Sequence, residues 1–203
     1  MEATSTRRQR ADGARSRQAI LRAAANLATI DGLEGISIGN LAEHIGMSKS
    51  GLYAHFRSKE QLQLETVETA LGIFNAEVVD PTTGIDDPRE RLRVLYGRFL
   101  DHIAQRIFPG GCFFASVEAE FDTHPGPVKD KIAAIQQQWT AGVEELIRAA
   151  QATGALPASE DAAQLAFELD AYGLMGNTSF VLHDDPAYLE RAREAINRRL
   201  GGA

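Results

Sequence analysis

Apolar residues recur at helical spacing along almost the whole chain. Ile20, Ala24, Leu27 and Ala28 make one stripe in a segment that starts near Asp12 and stops at Asp31-Gly32, a helix-ending pair. Ile38, Leu41, Ala42 and Ile45 then fall at i, i+3, i+4 and i+7, with Ser37 placed as an N-cap and Gly46 just past the end. Ser48 caps a second short piece running through His55. Ser58-Lys59-Glu60-Gln61 matches a capping box that opens a longer helix bearing Leu62, Val67, Leu71, Phe74 and Val78. That helix is expected to end before Asp80-Pro81.

The turn-rich stretch DPTTGIDDP follows as a loop inside a larger domain. Further helices are predicted at about Pro88–Ile107, Cys112–Phe121, Val128–Gln151, Ser159–Leu182 and Pro186–Leu200, punctuated by FPGG, THPGP, TGALP and HDDP. No strand-like alternation competes. The fold class is therefore all-α, with about nine helices: a three-helix N-terminal unit followed by a helical bundle. The domain boundary is placed inside the fourth helix, separating residues 1–62 from 63–203. The first ten residues and the last three are expected to be disordered.

Composition narrows the function classes. No apolar run reaches the length of a membrane span, and the Arg-rich start lacks the apolar core of a secretory signal, so a cytoplasmic protein with no membrane partner is expected. Cys112 is the only cysteine, so no disulfide forms within the chain. Charge divides unevenly, with a net +3 over residues 1–60 and a net -10 over the rest. Such a protein offers a polyanion one face rather than its whole surface.

Two helices a few residues apart, with a longer one before them, have the form of a helix-turn-helix. Neither short helix is stable alone, so both need packing from behind. Met47, Leu52 and Phe56 are expected to supply that packing against Ile20, Ala24 and Leu27, leaving Lys49, Ser50, Tyr53 and His55 outward. Lys49 then faces guanine O6 and N7, Ser50 faces base edges, and Tyr53 offers a hydroxyl to phosphate or a ring to a thymine methyl. Ser37, Ser48 and Ser58 serve first as caps. Ser37 and Lys59 stand at helix starts, which favour phosphate oxygens. Arg7, Arg8, Arg10, Arg15 and Arg17 are placed to follow the DNA backbone or minor groove.

The stretch GLEGISIGNLAEHIGMSKSGLYAHFRSKEQL resembles the DNA-binding signature of the TetR family of bacterial transcriptional regulators. The resemblance spans roughly residues 13–64, and the remainder has the expected size and helical character. It implies a homodimer, a palindromic double-stranded operator and a C-terminal domain whose small-molecule effector releases the DNA. It places DNA contacts on Ser37, Ser48, Lys49, Ser50, Tyr53, His55 and Lys59. Gly39-Asn40 departs from the family pattern, which often has a charged pair there.

On that reading some of the C-terminal aromatic residues line an effector pocket. Phe99, His102, Phe113, Val117, Trp139, Tyr172 and Asn177 are the expected wall. Leu189, Ala192, Ile196 and Leu200 form an apolar stripe on the last helix, and Gly173 and Gly176 interrupt the previous one. These six positions are expected at the dimer interface, with the two helices pairing against their mates. The fourth helix, running from the DNA end to the ligand domain, is the expected switch. Cys112 at a helix start admits a redox sensor, against the alternative of a buried small hydrophobe. No metal, cofactor or catalytic site is expected, since none of the common hydrolase, nucleotide or zinc motifs occurs. A helical enzyme with dispersed residues and a protein-binding scaffold remain the rival classes.

Overall fold

The computed structural model describes residues 2–201, with side chains over 13–201. Among these residues the fold is all helix: α1 (Glu2–Asp31), α2 (Ile38–His44), α3 (Lys49–Tyr53), α4 (Lys59–Phe74), α5 (Pro88–Ala104), α6 (Phe113–Phe121), α7 (Pro127–Ala152), α8 (Ala162–His183) and α9 (Ala187–Arg199). Most boundaries lie within three residues of those expected. Two differ. The first helix begins at Glu2 rather than near Asp12, because its Arg, Gln and Ala residues are strong helix formers. The fourth does not simply stop before Asp80-Pro81: it widens into a π turn over Asn75–Val79 and tightens into a 3-10 turn over Asp80–Thr82. Pro81 fits there because a first-turn residue needs no N–H partner.

Helices α1 to α3 fold around one apolar seam. Ile20, Ala24 and Leu27 of α1, Ile38 and Leu41 of α2, and Leu52 and Phe56 at α3 are all buried in the same core. Arg17 reinforces this packing. Its guanidinium lies 4.5 Å from the Phe56 ring centroid, donates to the His55 carbonyl, and pairs with both Glu65 oxygens at 2.6 and 2.5 Å. The expected DNA contact from Arg17 therefore gives way to a structural one. The side chains of Arg7, Arg8 and Arg10 lie outside the described residues.

The larger unit wraps α5, α6, α7 and α8 around a common interior, with α9 closing one side against α8 and α5. Here the structure corrects the expected dimer face. Leu189, Ala192, Ile196 and Leu200 are buried within the chain, and Gly173 and Gly176 face inward too. A Cβ on Gly173 would lie 2.7 Å from the Phe99 ring, and one on Gly176 would lie 2.8 Å from the Ala192 Cβ. Both glycines thus serve close approach inside the chain rather than approach of a partner. Gly176→Val is expected to destabilise the fold by about 1–3 kcal/mol, since the Ala192 contact cannot yield without moving a helix. Urea unfolding monitored by circular dichroism measures the loss.

Candidate nucleic-acid interface and ligand cavity

Three serines set the geometry of the recognition unit. Ser37, Ser48 and Ser58 accept hydrogen bonds from the N–H groups of Asn40, Gly51 and Gln61, at 3.1, 3.1 and 3.0 Å. Each cap stabilises its helix by about 1 kcal/mol. Asn40 completes a reciprocal box at α2. Its Oδ1 accepts from the Ser37 N–H at 2.6 Å and its Nδ2 donates to the Gly35 carbonyl at 2.9 Å. At the Gly39-Asn40 departure, capping accounts for Asn40, whereas a Cβ at Gly39 would make only an ordinary 3.5 Å contact with the Lys49 Cε.

Beyond these caps, α3 buries Leu52 and exposes its opposite face. Lys49 and Ser50 are exposed, Tyr53 is 61% exposed, and His55 is half-buried beside Phe56. Ser37, Ser48 and Lys59 are exposed on the same unit. Lys59 is already engaged: its ammonium lies 2.7 Å from Glu34 Oε1 and donates to the Glu34 carbonyl. The pair holds the Glu34 carboxyl below its ordinary value, chiefly through the Lys59 hydrogen bond. A phosphate reaching Lys59 exchanges one acceptor for another.

That contact belongs to a junction on the α1–α2 turn. Gln63 of α4 donates to the Leu33 carbonyl at 3.1 Å and to Glu34 Oε2 at 3.0 Å. From the opposite side Glu120 of α6 accepts from the N–H groups of Leu33 and Glu34 at 2.7 and 2.8 Å. A second bridge ties α1 to the loop before α6. Arg22 donates to the Ile107 carbonyl at 2.7 Å and stacks 5.0 Å from the Phe108 centroid, while the Gly110 N–H donates to Thr29 at 3.0 Å. Two elements of the larger unit, α4 and α6, thus grip the turn that precedes the helix-turn-helix.

The larger unit holds a partly open cavity of about 1100 Å³. Phe74 of α4, Phe99 of α5, Phe114 of α6 and Trp139 of α7 form its apolar end, and Asn75, Val79 and Thr82 of the widened turn form part of its wall. Of the expected lining, Phe99 and Trp139 lie on this wall. His102, Phe113, Val117, Tyr172 and Asn177 do not. Phe113 and Val117 sit on the core side of α6, and Tyr172 packs against the core from α8. Asn177 accepts from the Cys112 N–H at 2.8 Å. His102 is sealed between Phe74 and Phe108, at 5.8 and 5.5 Å, with neither ring nitrogen hydrogen-bonded. Burial, aided by Arg22, lowers its pKa to about 4, so the ring stays neutral.

The polar residues of the wall, Asn75, Arg91, Glu118, Glu145 and Asp170 among them, are not in the expected lining. The lone acid in the apolar run of residues 169–176 is the one cue to Asp170. Asp170 Oδ1 accepts from the Tyr96 hydroxyl at 2.7 Å and from the Trp139 indole at 2.9 Å. Burial raises its pKa despite both bonds. Burial and the Asp170 charge push Glu118 up to about 7. Cys112 also lines the wall, but burial pushes its thiol up to about 11, overriding any activation by the start of α6. Burial thus favours Cys112 as a small hydrophobe of the core.

Comparison with known proteins agrees with this geometry. Residues 20–66 match the bacterial regulatory proteins of the tetR family, and residues 88–196 match the tetracyclin repressor-like C-terminal domain. The transcriptional regulator AcuR of Cereibacter sphaeroides is 24% identical over 181 residues, covering 87% of this chain and 82% of that protein. A TetR transcriptional regulator from Chloroflexus aurantiacus superposes with a TM-score of 0.86 at 22% identity, covering 94% and 96% of the two chains. AibR, solved with isovaleryl coenzyme A and operator DNA, superposes with a TM-score of 0.73 at 24% identity, covering 90% of this chain and 96% of AibR. With both halves matched and the whole length sharing the fold, the chain belongs to the TetR family of bacterial transcriptional regulators.

Proposed function

We propose that this protein is a ligand-responsive repressor that binds a palindromic operator as a homodimer and leaves it when a small molecule fills the cavity. The observation that carries this reading is an α3 whose back is buried and whose outer face, Lys49, Ser50 and Tyr53, is open to a major groove. AibR has been solved with both isovaleryl coenzyme A and operator DNA, and in this chain the exposed α3 face and the cavity lie toward opposite ends of α4. The role proposed for this chain is binding rather than catalysis, in the cytoplasm where bacterial DNA lies. The boundary between the two units is proposed at 62/63, within α4, close to the end of the match over residues 20–66.

The dimer is assigned to the outer face of α8. Phe167, Met175 and Leu182 are 68%, 65% and 74% exposed there, in line with Ala171, Leu174 and Thr178. An apolar stripe of this kind on a solvent face marks an interface. Phe167, Ala171 and Leu174 also border the cavity, so a second subunit would shield its mouth. Two α3 helices then sit about 34 Å apart, one turn of the groove.

Coupling is assigned to α6 and α4 together. Glu118 faces the cavity while Glu120, two residues on, holds the turn before α2. Phe74 lines the cavity while Lys59 and Gln63 hold that turn from the far end of α4. A ligand that displaces either helix reaches the same loop. About 1–3 kcal/mol of coupling is enough to change operator affinity 5- to 150-fold.

Tyr53→Ala is expected to weaken operator binding by about 1–3 kcal/mol with an unchanged melting temperature, whereas Lys59→Ala should weaken all sequences alike and flatten the salt dependence by about one unit of slope. Fluorescence anisotropy on operator and scrambled duplexes separates the two. Met175→Glu should leave a monomer at micromolar concentration in light scattering; an intact dimer would move the interface off α8. Removing the loop anchor with Glu120→Ala is expected to speed amide exchange at Leu33 and Glu34 by about 10- to 100-fold. Unchanged protection would detach α6 from the coupling.

A further inference from the structure

The charge on the cavity wall defines the class of molecule it admits, an inference that rests on the regulator reading above. The Phe74 ring meets Trp139, Phe114 and Phe99 at centroid distances of 5.4, 5.9 and 6.1 Å, mostly edge to face. Two carboxyls enter this aromatic end. Asp170 uses only Oδ1 for Tyr96 and Trp139, which leaves Oδ2 for a further donor. Glu118 lines the same wall and makes no hydrogen bond or ion pair among the described residues. The charged groups on the wall are Arg91 from α5, Glu118 from α6, Glu145 from α7 and Asp170 from α8, while α4 contributes none. Arg91 stands five residues before Tyr96, the donor to Asp170, about 7.5 Å along the helix axis, and its buried Nε has no hydrogen-bond partner, yet it forms no ion pair with either carboxyl. Burial dominates the rise at both acids, and Asp170 adds to the rise at Glu118.

Two carboxyls on one apolar wall, neither paired with a cation, are costly to ionise. A cation entering from outside relieves both, and aromatic faces attract it further once it is desolvated. We infer that the cavity binds hydrophobic organic cations, an amine or quaternary ammonium head seated between Glu118, Asp170 and the rings of Phe74 and Trp139, with an apolar body along Leu71 and Leu95. Binding stabilises the ionised form of Glu118. Because that carboxyl protonates near 7 in the free protein, affinity for a permanent cation rises as pH goes from 6 to 8 and falls as the carboxyl protonates.

Trp139 is the chain's one tryptophan, so intrinsic fluorescence reports from the wall itself. The full-length protein is titrated with octyltrimethylammonium, octanol and octanoate, which share a chain and differ in head charge. The cation is expected to saturate the signal at a Kd at least about tenfold below that of octanol, with octanoate weakest. Glu118→Gln should remove about tenfold of the cation's affinity and its pH dependence while leaving octanol unchanged. Equal or tighter binding of octanoate or octanol, no saturable response to the cation, or an unaltered preference in Glu118→Gln overturns the assignment. Operator binding by the same preparation is measured alongside. If it holds while octanoate wins, only the ligand class falls; if it is absent, the regulator reading falls with it.

Discussion

The recognition helix is five residues long and has no stability of its own, so everything this protein does at DNA depends on burying Leu52 and Phe56 in the core that α1 and α2 share. That burial fixes which face of α3 is left outside. Arg17 secures it with a stack on Phe56 and a double contact to Glu65, joining α1, α3 and α4 at one point. The caps at Ser37, Ser48 and Ser58 then decide where each short helix begins, which sets the direction of Lys49 and Tyr53.

The same economy of contacts links the two units. Six residues between α1 and α2 are held by Lys59 and Gln63 from one side and by Glu120 from the other. Both holding helices carry cavity residues at a different point along their length. Rigid helices transmit a displacement with little loss, and the turn they share is otherwise anchored by the buried Leu33 and Ile36 and by Asn40. Coupling therefore needs no long chain of side chains, only two helices that cannot both keep their grip when the cavity fills.

Around the cavity, desolvation outweighs the other influences on charge. It holds His102 neutral, keeps the Cys112 thiol protonated and raises Glu118 and Asp170. Of these four groups, only the two carboxyls face the open space with acceptor capacity left over. The wall is thus apolar in area and acidic in character, a combination that discriminates by the charge of the head group rather than by its size.

Periodicity, caps and turn residues were enough to derive an all-helical chain, the helix-turn-helix and its outward residues, because those signals are local and lie within a few residues of each other. The roles of Arg17, Asn40, Lys59 and Glu120 were not legible, since each depends on a partner whose position is set by packing; only Asn40 has its partner nearby in sequence. The C-terminal half shows the limit most clearly. Leu189, Ala192, Ile196 and Leu200 make the same stripe whether they meet a partner chain or α8 and α5, and the fold chose the latter. Aromatic residues on two faces of one helix look alike in sequence, yet Phe114 lines the cavity and Phe113 the core. Local hydrogen-bonding and apolar spacing are written along the chain; which apolar face meets which neighbour is settled only when the helices close on one another.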